Sequence, residues 1–241
     1  MEFRNPSCEA PMILEAIITD VTRMQPPNVC IAAVHQGRTI RLTNPQPRDE
    51  WVASVDGLMP GDVVSLDCRP IPKPTPPHTE DCEWDPATFV KRRSLTEDAL
   101  TDRLSGDAFD CVEDAFGRPW IRGTGGNAAF RPGEGVRSLA TIRTLAVKVD
   151  VSFGKIRVTF EDAKNRWAAV PLQDLLVKQH QQRCRTCASN LGQALKSEFE
   201  GAHAMVRVGL ARQWQVPGHP SACWMQVNHI FLMPAKRKHF V

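Results

Sequence analysis

Lys155, Arg157 and Arg166, with Arg137, Arg143, Lys148 and Arg207 in the same part of the chain, are cations that could neutralise phosphates. Trp167, Trp214 and Trp224 are flat aromatic rings that could stack on bases, and Arg212 stands two residues before Trp214. Cations with interleaved aromatics suit single-stranded nucleic acid. The phosphates supply charge, and every base has a π-face worth about 1–3 kcal/mol when stacked. The competing use of these residues is structural, since tryptophan is mostly buried in folded proteins and surface arginines often only solvate a strand face.

Other side chains suggest catalysis or metal binding, each with a simpler reading beside it. Cys184 and Cys187 have the C-x2-C spacing that bites zinc, but a tetrahedral site needs four ligands and the chain has no second such pair. His180, His203 or Cys223 could complete it only through folding, so Cys184 and Cys187 are read as ordinary thiols and no metal is expected. A redox pair would need a strand before it and a helix after it. His78-Thr79-Glu80 ahead of C-x2-C is similar to a nucleobase-deaminase signature, yet Arg183 replaces its proline and about a hundred residues intervene. The acidic group Glu80, Asp81, Glu83 and Asp85 beside His78 could hold divalent metal for phosphoryl chemistry. Such centres need rigid carboxylates around metals roughly 4 Å apart, and acidic residues in a proline-rich segment more simply cap turns or pair with cations. Gly123-Thr124-Gly125-Gly126 and Gly133-Glu134-Gly135 lack the Gly-Lys-Ser/Thr of a phosphate loop. They read as a loop that orders on a ligand, with Arg131 and Arg137 at its end. No catalytic residue and no cofactor are assigned.

The elements that must carry these residues are mostly strands. Residues 12–22, 28–34, 38–42 and 63–66 read as short strands, with a turn at Gln36-Gly37 and 51–55 leading into a turn at Pro60-Gly61. Residues 70–78 hold five prolines in nine positions, too many for a helix or a central strand, and read as a stiff connector. Ser94 with Glu97 three residues later predicts a capped helix carrying Leu95, Ala99, Leu100 and Leu104. A second short helix follows at 107–116, then a glycine-rich loop over 117–135. In 155–160, Ile156, Val158 and Phe160 alternate with Lys155, Arg157 and Thr159, which predicts a half-buried strand with a basic outer face. A strand at 167–170, a helix opened by Pro171 and strands at 204–210 and 223–233 complete the order of a five-stranded OB barrel.

The chain has 241 residues, of which 42% are apolar and 24% charged, enough for an ordinary core and against disorder. No apolar run approaches the roughly 20 residues that span a bilayer, and residues 1–10 are not expected to act as a signal peptide. The eight cysteines are accordingly expected as reduced thiols in a cytoplasm. Net charge is +3, but it is unevenly placed: residues 1–135 carry −7 and residues 136–241 carry +10. A basic half of this kind points to polyanions.

The segments CIAAV (30–34) with RTIRL (38–42), PHTEDCEWDP (77–86), GVRSLATI (135–142), VPLQDL (170–175), VGLARQW (208–214) and CWMQVNHIFLMP (223–234) resemble, in this order, the prokaryotic dual OB domain family. The resemblance implies two OB-like barrels, nucleic-acid binding, and association with mobile-element or defence systems, with no established catalytic residue. The expected fold is therefore mainly β. It has an N-terminal OB-like five-stranded barrel at 8–72, a Pro-rich connector with helical insert and Gly-rich loop at 73–135, and a basic C-terminal barrel at 136–235. The expected function is non-catalytic binding of DNA or RNA through that second barrel, with a protein partner on the acidic side. A protein-interaction scaffold without nucleic acid is the alternative, and a metal-dependent nuclease or deaminase the third.

Overall fold

The computed structural model describes residues 13–117, 120–122, 128–152, 155–183, 187–199, 203–215, 218 and 220–233. Cys184, residues 123–127 of the glycine-rich loop and the basic tail at 236–239 lie outside the described residues. The chain is mainly β, with one closed five-stranded barrel and one half-open barrel of OB type.

The first barrel is built from β1 (Ile13–Arg23), β2 (Val29–His35), β3 (Arg38–Asn44), then α1 (Asp49–Ser54), β4 (Asp62–Pro70) and β5 (Asp81–Trp84). Strand order is β1-β2-β3-β5-β4, and β4 pairs back onto β1, so no edge is left open. The β3–β5 contact is parallel and the others are antiparallel. One strand serves both sides of the closure: Ile13–Ile17 pair with β4, and Ile17–Arg23 pair with β2. The change of partner coincides with a bulge between Ile18 and Asp20, which bends β1. Ile18, Ile31, Leu42, Val64 and Leu66 fill the interior. Trp51, Trp84 and Phe89 meet edge to face at one end, with Trp51 centroids 4.8 Å from both other rings.

This barrel overruns its expected boundary. The strand that completes it, Asp81–Trp84, lies past residue 72, and the proline-rich stretch is the β4–β5 loop of the first barrel instead of a connector between barrels. Prolines serve well there because a loop has no ladder hydrogen bonds to lose.

After β6 (Val90–Ser94), which pairs along β4, comes α2 (Glu97–Ser105). Its cap is Thr96, whose hydroxyl accepts from the Ala99 amide. Ser94, the expected cap, sits in β6 opposite Asp62 and donates its hydroxyl to that carboxylate at 2.6 Å. α3 (Val112–Phe116) follows. The stretch expected as pure loop contains a hairpin, β7 (Trp120–Arg122) and β8 (Ala128–Phe130), and β8 adds to the last strand of the second barrel.

That barrel comprises β9 (Leu139–Arg143), β10 (Ala146–Ser152), β11 (Lys155–Glu161), β12 (Arg166–Pro171), α4 (Leu175–Arg183), α5 (Cys187–Phe199), β13 (Ala204–Leu210) and β14 (Cys223–Leu232). β9 and β10 together play the part of β1 in the first barrel: β9 pairs with β13 and β10 with β11. On the remaining side Leu172, the residue after β12, meets Val227 of β14 through an isolated parallel bridge, which leaves this barrel half open.

Two strands explain how the barrels are joined. Thr19, Asp20 and Thr22 in β1 are as buried as their apolar neighbours, and all seven residues of β13 are buried. Such strands are covered on both faces. Val206, Val208 and Leu210 face the second barrel's own core, while Met205 joins Val34, Phe231, Leu100 and Leu104 in a separate apolar cluster between the barrels and α2. Beside that cluster lies a buried polar one. Arg207 Nε donates to Asp20 Oδ2 at 2.8 Å and its Nη1 donates to Thr141 Oγ1 at 3.3 Å. Asn228 Nδ2 donates to Asp20 Oδ1 at 2.8 Å, and Thr19 Oγ1 donates to Oδ2 at 3.0 Å. Asn228 is itself the extra residue of a bulge in β14 and lies against Gly209, where a Cβ would come within 2.8 Å of its amide nitrogen.

Asp20 is 0% and Arg207 2% exposed, so removing one partner strands a charge without water. Arg207→Met is expected to lower unfolding free energy by about 3–5 kcal/mol, read as a shift of the urea midpoint. A loss below about 1 kcal/mol, the scale of an exposed pair, would show that the junction does not depend on this contact.

Candidate nucleic-acid interface

The outer face of the β10–β12 sheet is where the strand alternation puts its cations. In β11 the side chains of Ile156, Val158 and Phe160 are buried, Lys155 is exposed, and Arg157 and Thr159 are half-buried. β11 and β12 are the second and third strands of an OB barrel, the face on which such barrels bind oligonucleotides. Lys148 pairs with Asp150 at 3.2 Å, and Arg166 lies 3.6 Å from Glu161. Both are exposed pairs of small energetic weight. Among the described residues, Lys155 and Arg157 have no carboxylate within ion-pair distance. Lys178 of α4 joins them: burial, and then the charges of Arg157 and Lys155, hold its ammonium below the usual value. No local pattern in the sequence singled out Lys178, because its neighbours lie on a strand some twenty residues earlier.

Several other candidates have different work. Trp167 is 0% exposed, donates its indole N–H to Asp162 Oδ2 at 2.7 Å and leans on Trp120, so it cannot stack on a base. Trp224 is buried against Ala129, Ala222 and Ile121. Arg207 is the internal ion pair already described and is closed to phosphate. Arg143 is held by Asp110 and by the carbonyls of Ala108 and Ser105, tying β9 to the chain after α2. The Arg137 guanidinium lies 4.8 Å from the centre of the Phe109 ring.

The acidic run is likewise consumed by structure. Glu80 accepts from the Ser138 amide at 2.6 Å, the Leu139 amide at 3.0 Å and the Ser138 hydroxyl at 3.1 Å, which fastens the first barrel's β4–β5 loop to the start of β9. Asp85 accepts from the Ala87 amide as the cap of a short 3₁₀ turn. Asp81 binds one arginine from each barrel, Arg41 Nε at 2.7 Å and Arg212 Nη2 at 2.6 Å. Among the described residues no three His, Cys, Asp or Glu side chains converge as metal ligands.

Arg212 and Trp214 belong to the β13–β14 loop and stand at the rim of a cleft of about 400 Å³ between the barrels. The opposite wall is the first barrel's β2–β3 surface and β1–β2 loop, with Cys30, Arg41, Thr43, Met24 and Gln25. Arg23 also lines it, paired with Asp49. No carboxylate lines this cleft, whereas three arginines do. Trp214 is 58% exposed, yet its backbone is held by hydrogen bonds in both directions with Ala222, each 3.1 Å.

No protein-family model matches the chain, and no curated protein matches it. Among solved structures it is similar to the p204 HINb domain, at 12% identity over 91% of this chain and 94% of that one, with a TM-score of 0.35. A murine DNA-binding protein bound with double-stranded DNA shares 9% identity over 92% of this chain and 99% of that one, TM-score 0.34. The Ifi202 HINa domain in complex with 20-bp double-stranded DNA shares 7% over 92% and 95%, TM-score 0.29. No helix among the described residues is long and apolar enough to cross a membrane.

The field behind the cleft is positive. His78, 4% exposed, is pushed down to about 2 by burial first and then by Arg41 and Arg212. An imidazole neutral in the folded state but protonated near pH 6.5 when unfolded gives the unfolded chain the extra proton, so stability falls as pH drops below 6.5. The slope approaches about 1.4 kcal/mol per pH unit for this one group. Urea titrations at pH 7.5, 6 and 5 should show His78→Gln losing less stability than the unaltered protein across that interval. Parallel losses in the two proteins would place His78 in water.

Proposed function

We propose that the chain binds nucleic acid, without catalysing a reaction on it, through the outer face of the β10–β12 sheet. The observation that carries this reading is the group Lys155, Arg157 and Lys178, three crowded cations beside the second and third strands of an OB barrel. Among the described residues Lys155 and Arg157 make no ion pair, although Asp150 stands across the ladder from Arg157, and burial together with these two charges disfavours the ammonium form of Lys178. An anion laid across them relieves that repulsion, and the phosphates of a nucleic-acid backbone arrive as a row of such anions. Arg166 and Lys148 extend the face, since their exposed pairs with Glu161 and Asp150 exchange readily for phosphate. The polarity of the chain, −7 before residue 136 and +10 after it, supports the same assignment. It leaves the first barrel to face a protein partner in a prokaryotic nucleic-acid-processing or defence assembly of the cytoplasm.

With about three phosphates neutralised, log affinity for a single strand should fall with log salt at a slope near −2, about fifteenfold between 50 and 200 mM. Changing Lys155, Arg157 and Arg166 together to Glu should remove most binding at 50 mM, measured by fluorescence anisotropy with labelled DNA and RNA oligonucleotides. Absence of binding by the unaltered protein at 50 mM salt, or full affinity in the charge-reversed variant, would refute the reading. A stoichiometric protein partner that survives nuclease treatment, with no nucleic acid bound, would favour a scaffold.

A further inference from the structure

The cleft between the barrels differs from the cationic face in what it presents. Its rim carries an exposed tryptophan fixed by its own backbone, and its walls carry amides and arginines but no carboxylate. The side-chain amides of Gln25 and Gln173 make no hydrogen bond within the described residues, so their donors and acceptors are open. Gln226, which also lines the cleft, is engaged, donating to Asn228 Oδ1 at 3.0 Å. The charge surplus is local: Asp81 answers two arginines, one from each barrel. The cleft also continues the cationic face. Arg157 pairs in register with Pro171, and Gln173 lies two residues further along, about 7 Å of extended chain.

We propose that this cleft receives an unstacked base of single-stranded nucleic acid, with the base against the Trp214 ring, its edge toward Gln25 and Gln173, and the adjoining phosphate toward Arg212. The inference rests on the nucleic-acid reading above and narrows it to single strands. A base can lie on Trp214 only when it has left its neighbours' stack, which a continuous duplex prevents. Volume agrees, since about 400 Å³ falls within the usual range for small-ligand sites. Rigidity agrees as well, because the Trp214 backbone is already paired with Ala222 before any ligand arrives.

The test compares the unaltered protein with Trp214→Ala and Trp214→Phe at 50 mM salt. The probes are a labelled oligothymidylate single strand, the same strand with one abasic position at each site in turn, and a duplex of equal length. Loss of one stacked base should weaken single-strand binding about 5- to 150-fold in Trp214→Ala, with most of it restored in Trp214→Phe and duplex binding unchanged. An abasic strand at the sensitive position should bind the unaltered protein as weakly as the full strand binds Trp214→Ala. Equal urea midpoints verify that the variants remain folded. Single-strand affinity within twofold of the unaltered protein, or equal losses for strand and duplex, overturns the base site. If Lys155, Arg157 and Arg166 reversal still abolishes binding in that case, the phosphate-face reading survives alone. If the unaltered protein binds neither probe, both readings fail.

Discussion

A carboxylate with no access to water organises this molecule. Asp20 has 0% exposure, and such an anion persists only when its lone pairs are satisfied. It takes Arg207 and Asn228 from the second barrel and Thr19 from its own strand. The geometry depends on two irregularities. A bulge in β1 lies just before Asp20, and another in β14 makes Asn228 the unpaired residue. Gly209 leaves the space in which the Asn228 amide lies. Removing any of these features leaves a buried polar group without its partner. The apolar cluster of Val34, Met205, Phe231, Leu100 and Leu104 supplies non-directional attraction, while the ion pair sets the register at which the barrels meet.

Docking in that register creates the surfaces with functional potential. Arg41 and Arg212 reach one carboxylate, Asp81, from opposite barrels, so the walls of the cleft are set by a contact that neither barrel has alone. Glu80, next to Asp81 at the same end of the β4–β5 loop, does the same by binding the amides that open β9. The acidic residues of that loop are therefore fasteners, and a metal-dependent use of them would compete with the assembly of the two barrels. No such fastener reaches Lys155 and Arg157 of β11, which make no ion pair among the described residues.

The parts of the fold that could be read directly from residues are those with one wet face. In β11, Ile156, Val158 and Phe160 alternate with Lys155, Arg157 and Thr159 because one side of that strand meets core and the other meets solvent. β1 and β13 defeat the same reasoning. Thr19, Asp20, Thr22 and Arg207 look like solvent-facing residues until a second barrel covers them. The closing strand Asp81–Trp84 was hidden for another reason: only four residues long and preceded by prolines, it is a strand because β3 and β4 offer it edges on both sides.

By itself the sequence determined the β-rich character, most strands of the second barrel and the uneven placement of charge, since all of these follow from local alternation and composition. It also determined which residues were chemically able to meet phosphates and bases. Which of them do meet solvent was decided by tertiary structure. Trp167 and Trp214 are the same residue type within one barrel, but one hydrogen-bonds to Asp162 inside the core and the other stands exposed on a loop. Arg157 and Arg207 are both strand arginines, yet Arg157 stays partly in solvent without an ion pair while Arg207 is buried on Asp20. The difference is solvation, and solvation depends on what covers a side chain from distant parts of the chain: Asp20 reaches Arg207 across 187 residues.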